Sequence, residues 1–170
     1  MVTLIGKTQH DIKRGEFMAQ RFYNNTGNSK VGEAIIIAEG LLTPNSKMIE
    51  AIKNKKDFKY DSGNGSHIAS ELLEARPIVR INFYRSKWPW SAAIGYVNSN
   101  DSKNMYLNSR KIEALTISDI VGWVLHEWSH LQGFHHGTGR TANYKTEDKC
   151  LYSVPYYLSE NVSKWFTISK

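Results

Sequence analysis

Residues 126–137 read HEWSHLQGFHHG. The stretch holds four of the six histidines in a chain of 170 residues, and their spacing restricts what the segment can become. His126 and His130 stand four residues apart. On an α-helix that interval puts both on one face, about 6 Å apart along the axis. Both imidazoles can then address a single cation at about 2.0–2.1 Å. A helix here has a visible beginning and a visible inner face. Thr116 can cap it, with Asp119 at the third helical position as the second half of a capping box. Ile117, Ile120, Val121, Val124, Leu125, Trp128 and Leu131 form one apolar stripe, which reads as core. The histidines lie off that stripe.

A third ligand must come from outside the helix, so the chain has to turn back. Gly133 can supply the turn, because glycine takes φ > 0 without steric cost. His136 is then within reach. His135 competes with it, and a downstream carboxylate, Glu147 or Glu160, is a further option. Only His136 completes the spacing H-E-x-x-H-x-x-G-x-x-H. Three protein ligands leave one tetrahedral position open, which is the arrangement of a catalytic zinc rather than a closed structural one. Glu127 directly follows the first ligand, so its carboxylate sits beside the cation. Zinc lowers the pKa of its water to about 7. Glu127 can take that proton as general base and later hand it to a leaving amine. These residues point to peptide-bond hydrolysis with one catalytic zinc ion as cofactor. His10 and His67 have no such partners and read as ordinary residues.

The rest of the chain supplies the scaffold. Asp11–Tyr23 suits a first helix, and Asn24–Ser29 a turn. Val31–Leu42 fits a buried helix by its apolar run, although Ile35–Ile37 are β-branched. Thr43–Ser46 reads as a stop followed by a new cap. Lys47–Lys56 follows as a helix with Met48, Ile49 and Ile52 inward. Asp61–Ser66 reads as a loop. Pro77–Arg85 is the clearest strand, with Val79, Ile81 and Phe83 alternating with Arg80, Asn82 and Tyr84. Lys87–Ser91 reads as an aromatic loop. Ala92–Val97 is a short strand, Asn98–Asn104 a turn, and Met105–Asn108 another strand. After the histidines, Thr138–Lys149 is polar and loop-like, and a last helix is expected from Ser159 through Phe166.

Composition narrows the class. With 41% hydrophobic residues the chain can bury one core, and a single domain over 1–170 is expected. The net charge is +6 and the pI about 9.3, which favours a basic surface without specifying a ligand. One cysteine, Cys150, excludes an intrachain disulfide. No apolar run reaches the roughly 18 residues of a membrane span. The opening MVTLIGKTQH lacks the features of a signal peptide. A secreted or periplasmic setting is expected over a cytoplasmic one, as a monomer.

At His126–His136 the chain resembles the metzincin clan of zinc endopeptidases. The resemblance implies an α+β zincin fold. It has a twisted mixed sheet with an antiparallel edge strand, a backing helix and an active-site helix. The N-terminal part would run to about residue 133, and a small C-terminal part ending in a helix would cover 134–170. It also implies that the edge strand binds an extended peptide by main-chain hydrogen bonds, with Ile94, Gly95, Tyr96 and Val97 as the substrate-binding segment. Relatives of this kind carry a methionine turn beneath the metal. Here Ser153-Val154-Pro155-Tyr156-Tyr157 takes that place, and Pro155 stands where methionine would be, as a rigid turn. By this alignment Tyr157 is the phenol that stabilises the tetrahedral intermediate, with Tyr156 in reserve.

The expectation is therefore a zinc-dependent endopeptidase acting on protein or peptide substrates. Two other readings are a DNA-associated HExxH protease, motivated by the pI and the cluster KNKKDFK at residues 53–59, and a non-catalytic zinc-binding protein. No accessory nucleic-acid module is visible, so a nucleic-acid partner is not expected.

Overall fold

The computed structural model describes residues 2–3, 20–58, 64–88, 93–98, 100–136 and 153–168. In chain order these form β1 (Val2–Thr3), β2 (Phe22–Asn24), α1 (Ser29–Leu41), α2 (Lys47–Asn54) and α3 (Gly65–Leu73). Then come β3 (Val79–Tyr84), β4 (Gly95–Asn98), β5 (Asp101–Asn108) and the short α4 (Ser109–Ile112). The last are α5 (Ile117–Leu131), α6 (Val154–Asn161), a 3-10 turn at Val162–Lys164, and β6 (Thr167–Ile168). The fold is α+β with a mixed four-stranded sheet in the order β2-β3-β5-β4. β2, β3 and β5 run parallel, and β4 is an antiparallel edge strand on β5. β1 and β6 form a separate antiparallel pair.

Alternation along β3 and β5 decides which face of the sheet is covered. Val79, Ile81, Met105 and Leu107 are fully buried and join one hydrophobic cluster with residues of α1, α2, α3, α5 and α6. α1 and α5 pack on each other, and α5 also packs on β4 and α6. The β-branched run Ile35–Ile37 is helical despite its propensity: Ile35 and Ile37 are buried while Ile36 faces solvent. Burial overrides the small propensity cost of such residues. Caps set the helix starts. Asn28, Ser46 and Asn64 each accept a hydrogen bond from the backbone N–H three residues on. Met48, Ile49 and Ile52 point inward, as their spacing requires.

Several expectations are corrected. Phe22 and Tyr23 belong to a strand rather than the end of a helix, because the sheet claims them: Phe22 pairs with Val79. Residues 11–19 of that expected helix lie outside the described residues, as do 59–63, 89–92 and 137–152. The loop expected at 61–66 gives way at Gly65 to α3. Asp101–Asn104 extend β5 instead of forming a turn, since Asn104 pairs with Arg80 and accepts a hydrogen bond from the Asn82 amide. The last helix is displaced. It starts at Val154 rather than Ser159, with Pro155 in its first turn, so Ser153–Tyr157 is the start of a helix and not a turn. The described C-terminal segment ends in β6, not in a helix. No helix among the described residues is long and apolar enough to cross a membrane.

Candidate metal centre

α5 is built as its sequence suggests. The Thr116 hydroxyl accepts from Asp119 N, and the Asp119 carboxylate accepts from Thr116 N, closing a capping box. Ile120, Val121, Val124, Leu125 and Trp128 are fully buried. Each such side chain stabilises the helix by about 1.5–3 kcal/mol. The Trp128 indole also donates to the Leu72 carbonyl at 3.0 Å, which ties α5 to the end of α3.

The helix ends in a way that forms the site. Gly133 has φ +91°. Its N–H donates to His130 O at 3.0 Å, and Phe134 N donates to Ser129 O at 3.0 Å. This pair of bonds is a Schellman ending, which needs the left-handed residue that glycine provides. The reversal puts the Phe134 carbonyl 2.7 Å from His130 Nδ1. A carbonyl can only accept, so Nδ1 carries the proton and the Nε2 lone pair of His130 is left facing the site.

His126, His130 and His136 converge, with one candidate ligand atom from each lying within 4.8 Å of the others. The Nε2 atoms of His126 and His136 are 2.9 Å apart. Two nitrogens bound tetrahedrally to one ion at about 2.0–2.1 Å lie about 3.4 Å apart, so small movements would suffice to admit one. Burial pushes the His126 imidazole down to about 2, helped by the neighbouring His130 and His136, and pushes His136 down to about 4. Both rings are therefore neutral near pH 7, the form that ligates metals. The donor set of three imidazoles fits a transition-metal ion and does not by itself choose among them. His135, the competing residue, is exposed, and its ring stacks 6.4 Å from that of His130. Glu160 is also exposed, and Glu147 lies outside the described residues.

Glu127 is only 4% exposed. Burial pushes its carboxyl up from 4.5 to about 8, opposed by a hydrogen bond from the Val97 backbone. It packs directly on β4: a Cβ on Gly95 would lie 3.2 Å from Glu127 Cγ and Oε1. Gly95 and Val97 face α5, while Tyr96 points to the other side and stacks on Tyr106 at 4.9 Å. The Ile94 carbonyl accepts from Asn108 N. The bonding alternation of an antiparallel pair then turns the main-chain groups of Gly95 and Val97 toward the outer edge, which pairs with no strand among the described residues.

The two tyrosines are divided between two environments. Tyr156 stacks on His136 at 4.6 Å and meets His126 edge-on at 5.2 Å. Tyr157 packs against Phe58 at 5.4 Å and Trp165 at 5.8 Å, with Lys55 Nζ 5.0 Å from its ring. Successive residues on a helix point about 100° apart, so a helix at 154–161 separates what a turn would have left open. Sequence reasoning missed Gly122 and Ser159. A Cβ on Gly122 would lie 3.0 Å from Ser159 O, and Ser159 Oγ is 3.5 Å from His126 Nδ1. The signal for Gly122 was present, as a glycine one turn before the first histidine of a helix whose interior otherwise excludes it.

Compared with known proteins, the chain matches no family model, no curated protein and no solved structure. Its function has to be argued from the geometry of this centre.

Proposed function

We propose that the chain is a zinc-dependent endopeptidase of the metzincin type. The observation that carries the reading is the buried Glu127 carboxyl, next in sequence to one of three convergent imidazoles and packed on an antiparallel strand whose outer edge pairs with no strand among the described residues. His126, His130 and His136 would hold the ion. Bound there, zinc supplies Lewis acidity and makes a water molecule easier to deprotonate. Glu127 takes a proton from water and passes it to the leaving amine. Burial suits Glu127 to this exchange, because a carboxyl with an affinity for protons near neutrality can both accept and donate. The main-chain groups of Gly95 and the carbonyl of Val97 are offered to an extended peptide. Tyr156, whose ring touches two of the three histidines, takes the role of the phenol that hydrogen-bonds the developing oxyanion. Tyr157 is then a packing residue.

The element order also supports the reading: β2, the backing helix α1, β3, the antiparallel edge strand β4, β5, then the histidine helix. Pro155 in place of methionine sets the chain apart from the pattern it resembles. The test is cleavage profiling on a peptide library, with zinc-loaded protein and with a chelator. Chelator-sensitive cleavage is expected. Zinc binding without any cleavage would favour the non-catalytic reading, and chelator-insensitive cleavage would remove the zinc mechanism.

A further inference from the structure

A metal ligand needs its second ring nitrogen held, because that bond fixes both the tautomer and the ring plane. For His130 the Phe134 carbonyl does this at 2.7 Å. His126 has no carbonyl of its own helix turned to Nδ1, since α5 continues straight past it. Its Nδ1 instead faces α6, where Ser159 Oγ lies 3.5 Å away. Ser159 Oγ is itself oriented by the carbonyls of Pro155 at 3.3 Å and Tyr156 at 3.2 Å.

This contact requires two helices to approach closely, and Gly122 permits it. A Cβ there would lie 3.0 Å from the Ser159 carbonyl oxygen and 3.2 Å from Ser159 Cα. Both are backbone atoms, so α6 would have to back away. Gly122 is one helical turn before His126, on the side of α5 that meets α6. Resting on the metal-site reading above, we infer that Ser159 and Gly122 are positioning residues for His126. The first turns of α6 form a polar floor that holds the ring in its Nδ1–H form with Nε2 toward the ion. In this chain a helix start does what a packed turn beneath the metal would otherwise do, and Pro155 contributes a carbonyl rather than a side chain. Pro155 suits this position: in the first turn of a helix its missing N–H costs nothing.

The experiment has two arms on the full chain. In the first, the histidine ring nitrogens of chelated protein are read by 15N NMR. His126 is expected as the Nδ1–H tautomer in the parent, and as a mixture in Ser159→Ala. A parent His126 in the Nε2–H form overturns the inference whatever the metal does. In the second arm, zinc affinity is measured by competition with a chromophoric chelator. Ser159→Ala and Gly122→Ala are expected to bind zinc about 10–100-fold more weakly, and Ser159→Thr, which keeps the hydroxyl, to recover most of the loss. Ile49→Val, a loss of one buried methylene on α2, should lower stability and leave the affinity alone, which separates positioning from general loosening. Tight zinc binding in the parent with unchanged affinity in Ser159→Ala and Gly122→Ala overturns this inference only. A parent that binds no zinc overturns the metal-site reading along with it.

Discussion

Replacing Glu127 by glutamine should make the metal-free protein more stable in alkaline solution and abolish hydrolysis. The buried carboxyl is lifted from 4.5 to about 8. At pH 4 both folded and unfolded chains hold the proton, so ionisation contributes no difference. Between pH 4.5 and 8 the unfolded chain releases a proton that the folded chain keeps, and stability falls as pH rises. Above pH 8 the loss is complete. At about 1.4 kcal/mol per pH unit the ceiling is about 5 kcal/mol. Water entering beside β4 lowers this, and at least about 2 kcal/mol is expected to survive. Glutamine does not titrate and can still accept from the Val97 amide. Its own N–H groups carry a cost, but one that does not change with pH. The measurement is urea unfolding of parent and Glu127→Gln, with chelator present, at pH 4 and pH 8.5. The advantage of the variant should grow between the two conditions. A difference that stays flat to within about 0.5 kcal/mol would refute the claim that burial without a compensating charge governs this carboxyl.

Gly95→Ala inserts a methyl 3.2 Å from Glu127 Oε1 and from the Tyr106 carbonyl. It should lower kcat/KM by about 10–100-fold through displacement of Glu127, with zinc content by elemental analysis unchanged. Tyr156→Phe should lower kcat/KM by about 100-fold, whereas Tyr157→Phe should leave peptide cleavage near the parent level. The reverse order would return the phenol's role to Tyr157. Thr116→Val opens the capping box and should cost about 1 kcal/mol in chemical unfolding, without altering zinc affinity.

The centre was largely legible because its determinants are local. An i, i+4 histidine pair, a capping box and a glycine three residues past the second histidine are all written within 21 residues, from Thr116 to His136. What escaped depends on partners far along the chain. Phe22 reads as helical beside Phe17 and Met18, yet Val79, 57 positions later, makes it a strand. Asp101–Asn104 have poor strand propensity and are held by the ladder with β3. The polar opening of α3 hid a helix whose cap, Asn64, and buried Ile68, Ala69 and Leu72 were present in the sequence. The C-terminal displacement had a local signal that pointed the other way. Proline after serine starts a helix as readily as it stiffens a turn, and the choice decides which tyrosine meets the histidines.

The outer edge of β4 pairs with no strand among the described residues. An unpaired strand edge can take up any extended chain, including the same edge on a second copy of the protein. The strand limits that exposure in three ways. It is four residues long, its register breaks between Val97 and Asn98, and the Glu127 carboxyl already engages the Val97 amide. Side chains that lengthen or flatten this edge would therefore be expected to raise self-association before they improve any grip on a peptide. If the edge binds a peptide as proposed, solubility and substrate capture are set against each other on the same few main-chain groups.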